Sequence, residues 1–80
     1  MININSFIKC LKKNGFNFVT GVPDSLLKNL CFEFENQYKK KHVVAANEGS
    51  AVAIGIGYHL KSGEVPIVYL QNSGLGNMIN

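Results

Sequence analysis

Three short apolar segments alternate with segments of helical spacing, and this order constrains the fold more than any other feature of the chain. The apolar segments comprise residues 16–22, 42–46 and 66–71, and each is rich in β-branched or aromatic side chains. Strands of uninterrupted apolar character are typical of parallel sheets that are covered on both faces. We therefore predict an α/β fold in which a parallel sheet carries helices on both faces.

The first two intervening segments have the end signals of helices. One carries apolar residues at helical spacing, with Ser6 as its predicted N-cap and Gly15 as its stop. The next has Asp24 or Ser25 as its predicted N-cap and ends before Lys39, where a run of lysines forms a connection that we expect to be exposed to solvent.

The third helical segment is distinguished by its small residues. Asn47 is its predicted N-cap, and the helix runs from Glu48 to about residue 61. Gly55 and Gly57 each weaken a helix by about 0.5–1 kcal/mol relative to alanine. We therefore expect both glycines to pack closely against a neighbouring element.

Composition and charge exclude several functional classes. With 46% hydrophobic and 16% charged residues, the chain has the composition of a packed domain and not of a disordered segment. Its basic residues are eight lysines without an arginine, for a net charge of +3, which argues against sequence-specific binding of nucleic acid. No apolar run approaches the roughly 20 residues that cross a membrane, and the first residues lack a secretory signal. We therefore expect a cytoplasmic protein with neither a membrane nor a nucleic-acid partner.

The cysteines and histidines give no sign of a reactive site or of a metal site. Cys10 and Cys31 lie in helical segments without metal-ligand or redox spacing, and we expect both to be buried as small apolar residues. His42 begins the second strand and His59 lies late in the third helix, so we interpret each as a packing or surface residue.

Polar residues follow all three strands at the point where each strand ends. In an open parallel sheet these carboxyl ends meet at one edge, where ligands collect beside helix N-termini. The polar segments therefore bring one set of side chains to the same edge: Asp24, Glu48, Asn72, Ser73 and Asn77. This edge is the candidate ligand site.

Glu48 and Asp24, each taken alone, allow a structural and a chemical interpretation. Glu48 directly follows an apolar strand and begins a helix, so it is either a favourable first-turn charge, worth about 0.3–1 kcal/mol, or a shielded carboxylate with a chemical role. Asp24 is of a residue type that commonly serves as an N-cap, worth about 0.5–2 kcal/mol, and nothing in Asp24 alone requires catalysis.

A small nucleotide-binding domain is a disfavoured alternative. The segment that begins with Gly74 and Gly76 starts like a dinucleotide fingerprint, but Ile79 stands where the third glycine belongs. Gly55 and Gly57 lie inside a helix with no strand directly before them, so they do not form a phosphate-binding loop.

Two long segments carry a resemblance to a known family. The sequences GVPDSLLKNL and AANEGSAVAIGIGYHLKSGEVPIVYLQNSGLGN resemble the pyrimidine-binding domain of thiamine-diphosphate-dependent 2-oxo-acid decarboxylases, and the similarity covers essentially all 80 residues. The NEGSA run is fairly specific to this superfamily. GVPDS followed by QNSGLGN is similar to the branch that acts on phosphonopyruvate and sulfopyruvate, with the phosphonopyruvate decarboxylases as the nearer match.

The resemblance implies a role for Glu48 in binding the cofactor and in catalysis. The matching glutamate of the family hydrogen-bonds the N1′ nitrogen of the aminopyrimidine ring of thiamine diphosphate. A carboxyl group of limited solvation suits this task, because burial tunes its protonation and it can share a proton with a weakly basic nitrogen.

Further roles are implied for residues near the other strand ends. Asp24 matches an acidic residue that faces the reacting carbons in related decarboxylases, and Ser25 beside it is a candidate contact to the substrate carboxylate. Asn72, Ser73 and Gly74 match the turn that lines the pyrimidine ring, where a glycine lets the ring approach the backbone.

The resemblance also implies parts that these residues do not contain. Family members carry a second thiamine-binding domain that holds magnesium and the diphosphate, and the two halves of the site come from different subunits. We therefore expect residues 1–80 to be the incomplete N-terminal portion of a pyrimidine-binding domain, inactive by itself, from an enzyme that is at least a homodimer. The expected reaction is the decarboxylation of 3-phosphonopyruvate to phosphonoacetaldehyde, a step of phosphonate biosynthesis. Sulfopyruvate decarboxylation through an alpha-type subunit and a non-catalytic association module are the alternatives.

Overall fold

The order of helices and strands agrees with the prediction. The structure is a computed structural model that describes residues 3–70 of the chain. The main elements, in chain order, are α1 (Ile4–Lys13), β1 (Val19–Gly21), α2 (Lys28–Tyr38), β2 (His42–Val44), α3 (Glu48–Ser62) and β3 (Ile67–Tyr69). Two 3₁₀ turns, Ser25–Leu27 and Lys39–Lys41, lie directly before and after α2.

The three strands form one parallel sheet in the order β2-β1-β3. Gly21 at the end of β1 is aligned with Val44 of β2 on one side and with Tyr69 of β3 on the other. The predicted α/β fold with a parallel sheet is therefore confirmed. Each strand has only three residues and is shorter than its predicted segment, although Phe18 and Ala45 each add one backbone hydrogen bond beside the strands.

The beginning of α1 differs from the prediction. The N-cap is Asn3, whose side-chain oxygen accepts a hydrogen bond from the backbone N–H of Ser6 at 3.1 Å. Ser6 is therefore the third residue inside the helix and not its cap, because an asparagine three residues earlier occupies that position. The predicted end is confirmed, since α1 stops at Lys13 and Gly15 adopts a left-handed φ of 90°.

The start of α2 differs from the prediction, because α2 begins at Lys28 and Leu27 at its N-cap position provides no side-chain cap, whereas α3 has its predicted cap. Asp24 Oδ1 accepts a hydrogen bond from the backbone N–H of Leu27 at 3.1 Å, which caps the 3₁₀ turn that leads into α2. At the start of α3, Asn47 Oδ1 accepts a hydrogen bond from the backbone N–H of Ser50 at 2.8 Å. The helix then ends at Gly63, whose φ of 78° only glycine adopts without strain.

Helices α1 and α2 cover one face of the sheet and bury an aromatic core there. The buried core residues are Ile8, Val19, Cys31, Phe34, Tyr38 and Tyr69. Cys31 is buried as predicted, but Cys10 is exposed. Cys10 is two positions after the buried Ile8, and at about 100° per residue this turns it away from the core. The lysines of the second 3₁₀ turn are exposed, as expected.

Helix α3 covers the opposite face through small residues. A Cβ atom added at Gly55 would lie 2.8 Å from Cγ2 of Val68, so the prediction of close packing is confirmed at this glycine. It is wrong for Gly57, which is exposed and has no neighbouring atom within 4 Å of an added Cβ. Phe18 and Tyr58 stack at 4.1 Å between ring centroids. No helix within residues 3–70 is both long enough and apolar enough to span a membrane.

Candidate functional site

The carboxyl ends of the three strands meet at one edge of the sheet. Gly21, Val44 and Tyr69 are the last residues of their strands, and they stand side by side in the register. The backbone N–H of Ala45 donates a hydrogen bond to the carbonyl oxygen of Gly21 at 2.9 Å, which extends the pairing one residue beyond β2. The segments that follow β1 and β2 therefore start from neighbouring points on this edge.

Glu48 lies at this edge in the first turn of α3. Buried Ala45 and the Asn47 cap carry the chain directly from β2 into the helix, so the Glu48 carboxyl group stands beside a helix N-terminus. Glu48 is half-buried. Among residues 3–70, no side chain or backbone group forms a hydrogen bond or an ion pair with the Glu48 carboxyl group. Its carboxylate therefore has capacity to bind a ligand.

Asp24 lies three residues beyond the end of β1 and is half-buried. One of its oxygens caps the 3₁₀ turn, as described above, so this carboxylate is held by the backbone it caps. Ser25, the next residue, is exposed. The topology thus brings the segments that carry Asp24, Ser25 and Glu48 to one edge, as the sequence predicted.

The other predicted contacts lie outside the described residues. Asn72, Ser73 and Gly74, together with Asn77, follow β3 by a few positions. Their roles stay predictions. The end of β3 at Tyr69 does lie next to Gly21, so the chain enters that segment from the candidate edge.

A buried polar network that reaches from the start of β2 to the end of β3 was missed by the sequence reasoning. His42 is buried at the start of β2, where its Nε2 lies 2.8 Å from the Tyr69 hydroxyl and its Nδ1 lies 2.7 Å from Glu35 Oε1. Burial, and then a hydrogen bond with Cys31, raise the pKa of Tyr69 above its usual value. The sequence feature that could have indicated this network is a histidine at the first position of an apolar strand, because a buried histidine requires hydrogen-bond partners.

Comparison with known proteins identifies the family to which this chain belongs. A family model described as "Thiamine pyrophosphate enzyme, N-terminal TPP binding domain" matches residues 4–80. The chain belongs to this family. The suspected resemblance, and the fold that it implied, are thereby confirmed.

Curated relatives of this thiamine pyrophosphate enzyme domain are decarboxylases. The "Sulfopyruvate decarboxylase subunit alpha" of Methanocaldococcus jannaschii is 36% identical over 70 residues, which are 88% of this chain and 41% of the relative. The protein of the same name from Methanococcus maripaludis is 32% identical over 72 residues, 90% of this chain and 42% of the relative. The "Phosphonopyruvate decarboxylase" of Streptomyces hygroscopicus is 34% identical over 80 residues, 100% of this chain and 20% of the relative.

The chain spans less than half the length of these curated relatives. No solved structure matches it. The family match is to a thiamine pyrophosphate-binding domain, and these three relatives are named as decarboxylases.

The residues at the candidate edge fit a thiamine cofactor. A half-buried carboxyl group without a partner among residues 3–70 can share a proton with a ring nitrogen, and Glu48 is such a group. Thiamine diphosphate, when bound, would supply carbanion stabilisation. The contribution of this chain would be to hold and orient the pyrimidine ring and to hold a proton at Glu48. No group of three or more metal-ligating side chains comes together within residues 3–70.

Proposed function

We propose that this chain supplies the pyrimidine-binding half of a thiamine-diphosphate site in an enzyme that decarboxylates an anion-bearing 2-oxo acid. The observation that carries the proposal is the position of Glu48, a half-buried carboxyl group in the first turn of α3, directly behind the carboxyl end of β2. Its role is to hydrogen-bond the N1′ nitrogen of the cofactor and to exchange a proton with it.

Asp24 and Ser25 are proposed to serve the substrate end of the same site. The Asp24 carboxylate is tied to the backbone through its cap to Leu27, which limits the directions in which it can point. A carboxylate in a fixed position is suited to proton transfer near the reacting carbons, because general acid–base catalysis needs defined geometry. Ser25 is exposed beside it and is proposed to contact the substrate carboxylate.

The remaining parts of the site are proposed to lie elsewhere in the enzyme. Asn72, Ser73 and Gly74 would line the pyrimidine ring, and a second thiamine-binding domain would hold magnesium and the diphosphate. Contribution of the two halves by different subunits would make the active enzyme at least a homodimer. We propose a cytoplasmic location for this enzyme and phosphonate biosynthesis as its setting.

3-Phosphonopyruvate is the substrate that we propose first, with phosphonoacetaldehyde and carbon dioxide as products. The similarity to the Streptomyces hygroscopicus relative runs over the entire chain and supports this choice. Sulfopyruvate is the second candidate, because two relatives of similar identity are sulfopyruvate decarboxylase alpha subunits. The two acids share a 2-oxo acid group and differ in their anionic head.

Replacement of Glu48 tests the catalytic role. In the full-length protein supplied with thiamine diphosphate and magnesium, we expect Glu48→Gln to lower kcat by about 10²–10⁴-fold, because the amide can hydrogen-bond but cannot exchange a proton. The free energy of unfolding should change by no more than about 1 kcal/mol, the size of a first-turn charge effect. Steady-state decarboxylation and chemical denaturation measure the two quantities.

Glu33→Gln is the matched control, since Glu33 is also half-buried and lies on α2, on the face of the sheet opposite to α3 and Glu48. We expect this control to keep the wild-type kcat. Equal activity of wild type and Glu48→Gln would refute the catalytic proposal and favour a non-catalytic association module. Turnover of the two acids by the wild type decides the substrate, and a clear preference for sulfopyruvate would overturn the first choice.

A further inference from the structure

The side chain of Tyr69 is restrained on three sides. Its hydroxyl meets His42 Nε2 at 2.8 Å, and Phe34 stacks on its ring at 5.5 Å between centroids with an interplanar angle of 17°. On the strand side the ring lies against Gly21, where an added Cβ atom would come within 2.5 Å of Tyr69 Cγ and Cδ2. Only glycine leaves room for the ring at this point.

His42 connects Tyr69 to α2. The His42 side chain is 2% exposed, whereas that of Glu35 is 62% exposed, so the carboxylate reaches in from the surface to the buried ring. An N–H at Nδ1 that donates to Glu35 leaves Nε2 of the neutral imidazole as the acceptor for the Tyr69 hydroxyl. The Tyr69 hydroxyl therefore has a defined hydrogen-bonding direction.

Tyr69 and the glycine against which it packs stand at the carboxyl ends of two strands that lead into the candidate site. Tyr69 is the last residue of β3, and Gly21 is the last residue of β1. Asp24 follows Gly21 by three positions, and the predicted pyrimidine contacts begin three positions after Tyr69. A shift of the Tyr69 ring would move both strand ends.

We propose that His42 and Tyr69 are positioning residues of the cofactor site, which hold the carboxyl ends of β1 and β3 in the geometry that binds thiamine diphosphate. The inference rests on the function proposed above. Both side chains are buried on the α2 side of the sheet, so they act through the backbone and not by contact with the substrate.

The test compares two buried tyrosines of the same core. Tyr38 is 5% exposed and Tyr69 is 6% exposed, and both rings contact Phe34. The Tyr38 hydroxyl donates to the carbonyl oxygen of Phe16 at 2.6 Å, so its hydrogen bond holds the segment before β1 and does not involve Gly21 or Tyr69. Tyr38→Phe is therefore the control for the loss of a buried hydroxyl as such.

The dissociation constant of thiamine diphosphate is the deciding measurement. It is obtained by titration calorimetry on the full-length protein with magnesium present, at a temperature where circular dichroism shows each variant to be folded. We expect Tyr69→Phe to raise this constant about tenfold, the factor that corresponds to one hydrogen bond, and Tyr38→Phe to leave it unchanged.

Variants of His42 provide a rescue test. We expect His42→Leu to weaken cofactor binding as much as Tyr69→Phe does, and His42→Gln to restore affinity, because its amide can still bond the Tyr69 hydroxyl. The double variant His42→Leu with Tyr69→Phe should bind no more weakly than the weaker single variant, since both remove the same bond.

The outcomes separate this inference from the proposed function. A wild-type protein that fails to bind thiamine diphosphate would overturn both. Normal wild-type binding together with equal effects of Tyr69→Phe and Tyr38→Phe, including no effect of either, would overturn the positioning role alone.

Discussion

The two faces of the sheet are covered in different ways. On one face, α1 and α2 enclose a core of large side chains, and Phe34, at 1% exposure, stands at its centre. On the other face, the buried residues of α3 are Ala51 and Gly55. Large apolar side chains around α3 are instead exposed, with Leu60 at 79% and both Ile56 and Val65 at 56%.

Side-chain volume explains the difference. Aromatic rings fill a wide space between the first two helices and the sheet, whereas the glycine at position 55 lets the backbone of α3 approach β3 until it touches Val68. Close approach of a backbone buries little apolar area, and an open groove of about 270 Å³ stays between α3 and β3. The α1–α2 face therefore supplies stability, and the α3 face supplies the placement of Glu48.

The largest expected effect belongs to the centre of the aromatic core. Phe34→Ala removes a ring that contacts Tyr38, His42 and Tyr69. We expect the free energy of unfolding to fall by about 3–5 kcal/mol, the usual loss for a buried phenylalanine. Urea denaturation of the full-length protein measures it, and a loss below about 1 kcal/mol would contradict the assignment of stability to this face.

An intermediate effect is expected where α3 approaches the sheet. Gly55→Ala places a methyl group 2.8 Å from Val68 Cγ2, and we expect a loss of about 1–3 kcal/mol from overpacking, partly offset by the better helix propensity of alanine. Gly57→Ala in the same helix is the matched control, because nothing lies within 4 Å of the added Cβ. That control should gain about 0.5–1 kcal/mol. A gain in both variants would show that α3 is not held by close approach.

The smallest expected effect concerns the exposed part of α3. Leu60→Ala removes a side chain that is 79% exposed, so little buried area is lost and the change in unfolding free energy should stay within about 0.5 kcal/mol. The same denaturation assay on the full-length protein serves here. A loss as large as that of Phe34→Ala would mean that Leu60 is covered in the full-length protein.

Local signals account for most of the fold that was predicted. Asn47 and Asp24 cap their segments because short polar side chains satisfy the free N–H groups of a helix start, and Gly63 ends α3 because its backbone is left-handed there. The prediction of Ser6 as a cap was wrong for the same local reason, since Asn3 also satisfies the rule and stands earlier.

The wrong predictions about burial share a different cause. Cys10 and Gly57 were expected to be packed because of their residue types, yet both are exposed. The placement of the whole helix decides which of its sides faces the sheet. The type of a single residue is only a weak guide to whether that residue is buried. For the site, the predicted strand ends were enough to place Asp24 and Glu48 at the same edge of the sheet. The chemical roles of the two residues stay predictions.

The sequence by itself determined the alternation of strands and helices, the caps, and the edge of the sheet to which Glu48 and Asp24 belong, because each of these depends on residues close together in the chain. Only the tertiary structure decided that Glu35, His42 and Tyr69 form one network. Along the chain, His42 is 7 positions from Glu35 and 27 positions from Tyr69. The network exists because α2 packs on β2 and the Tyr69 side chain reaches His42 across β1. A buried imidazole must find hydrogen-bond partners, but which residues provide them is set by packing in three dimensions.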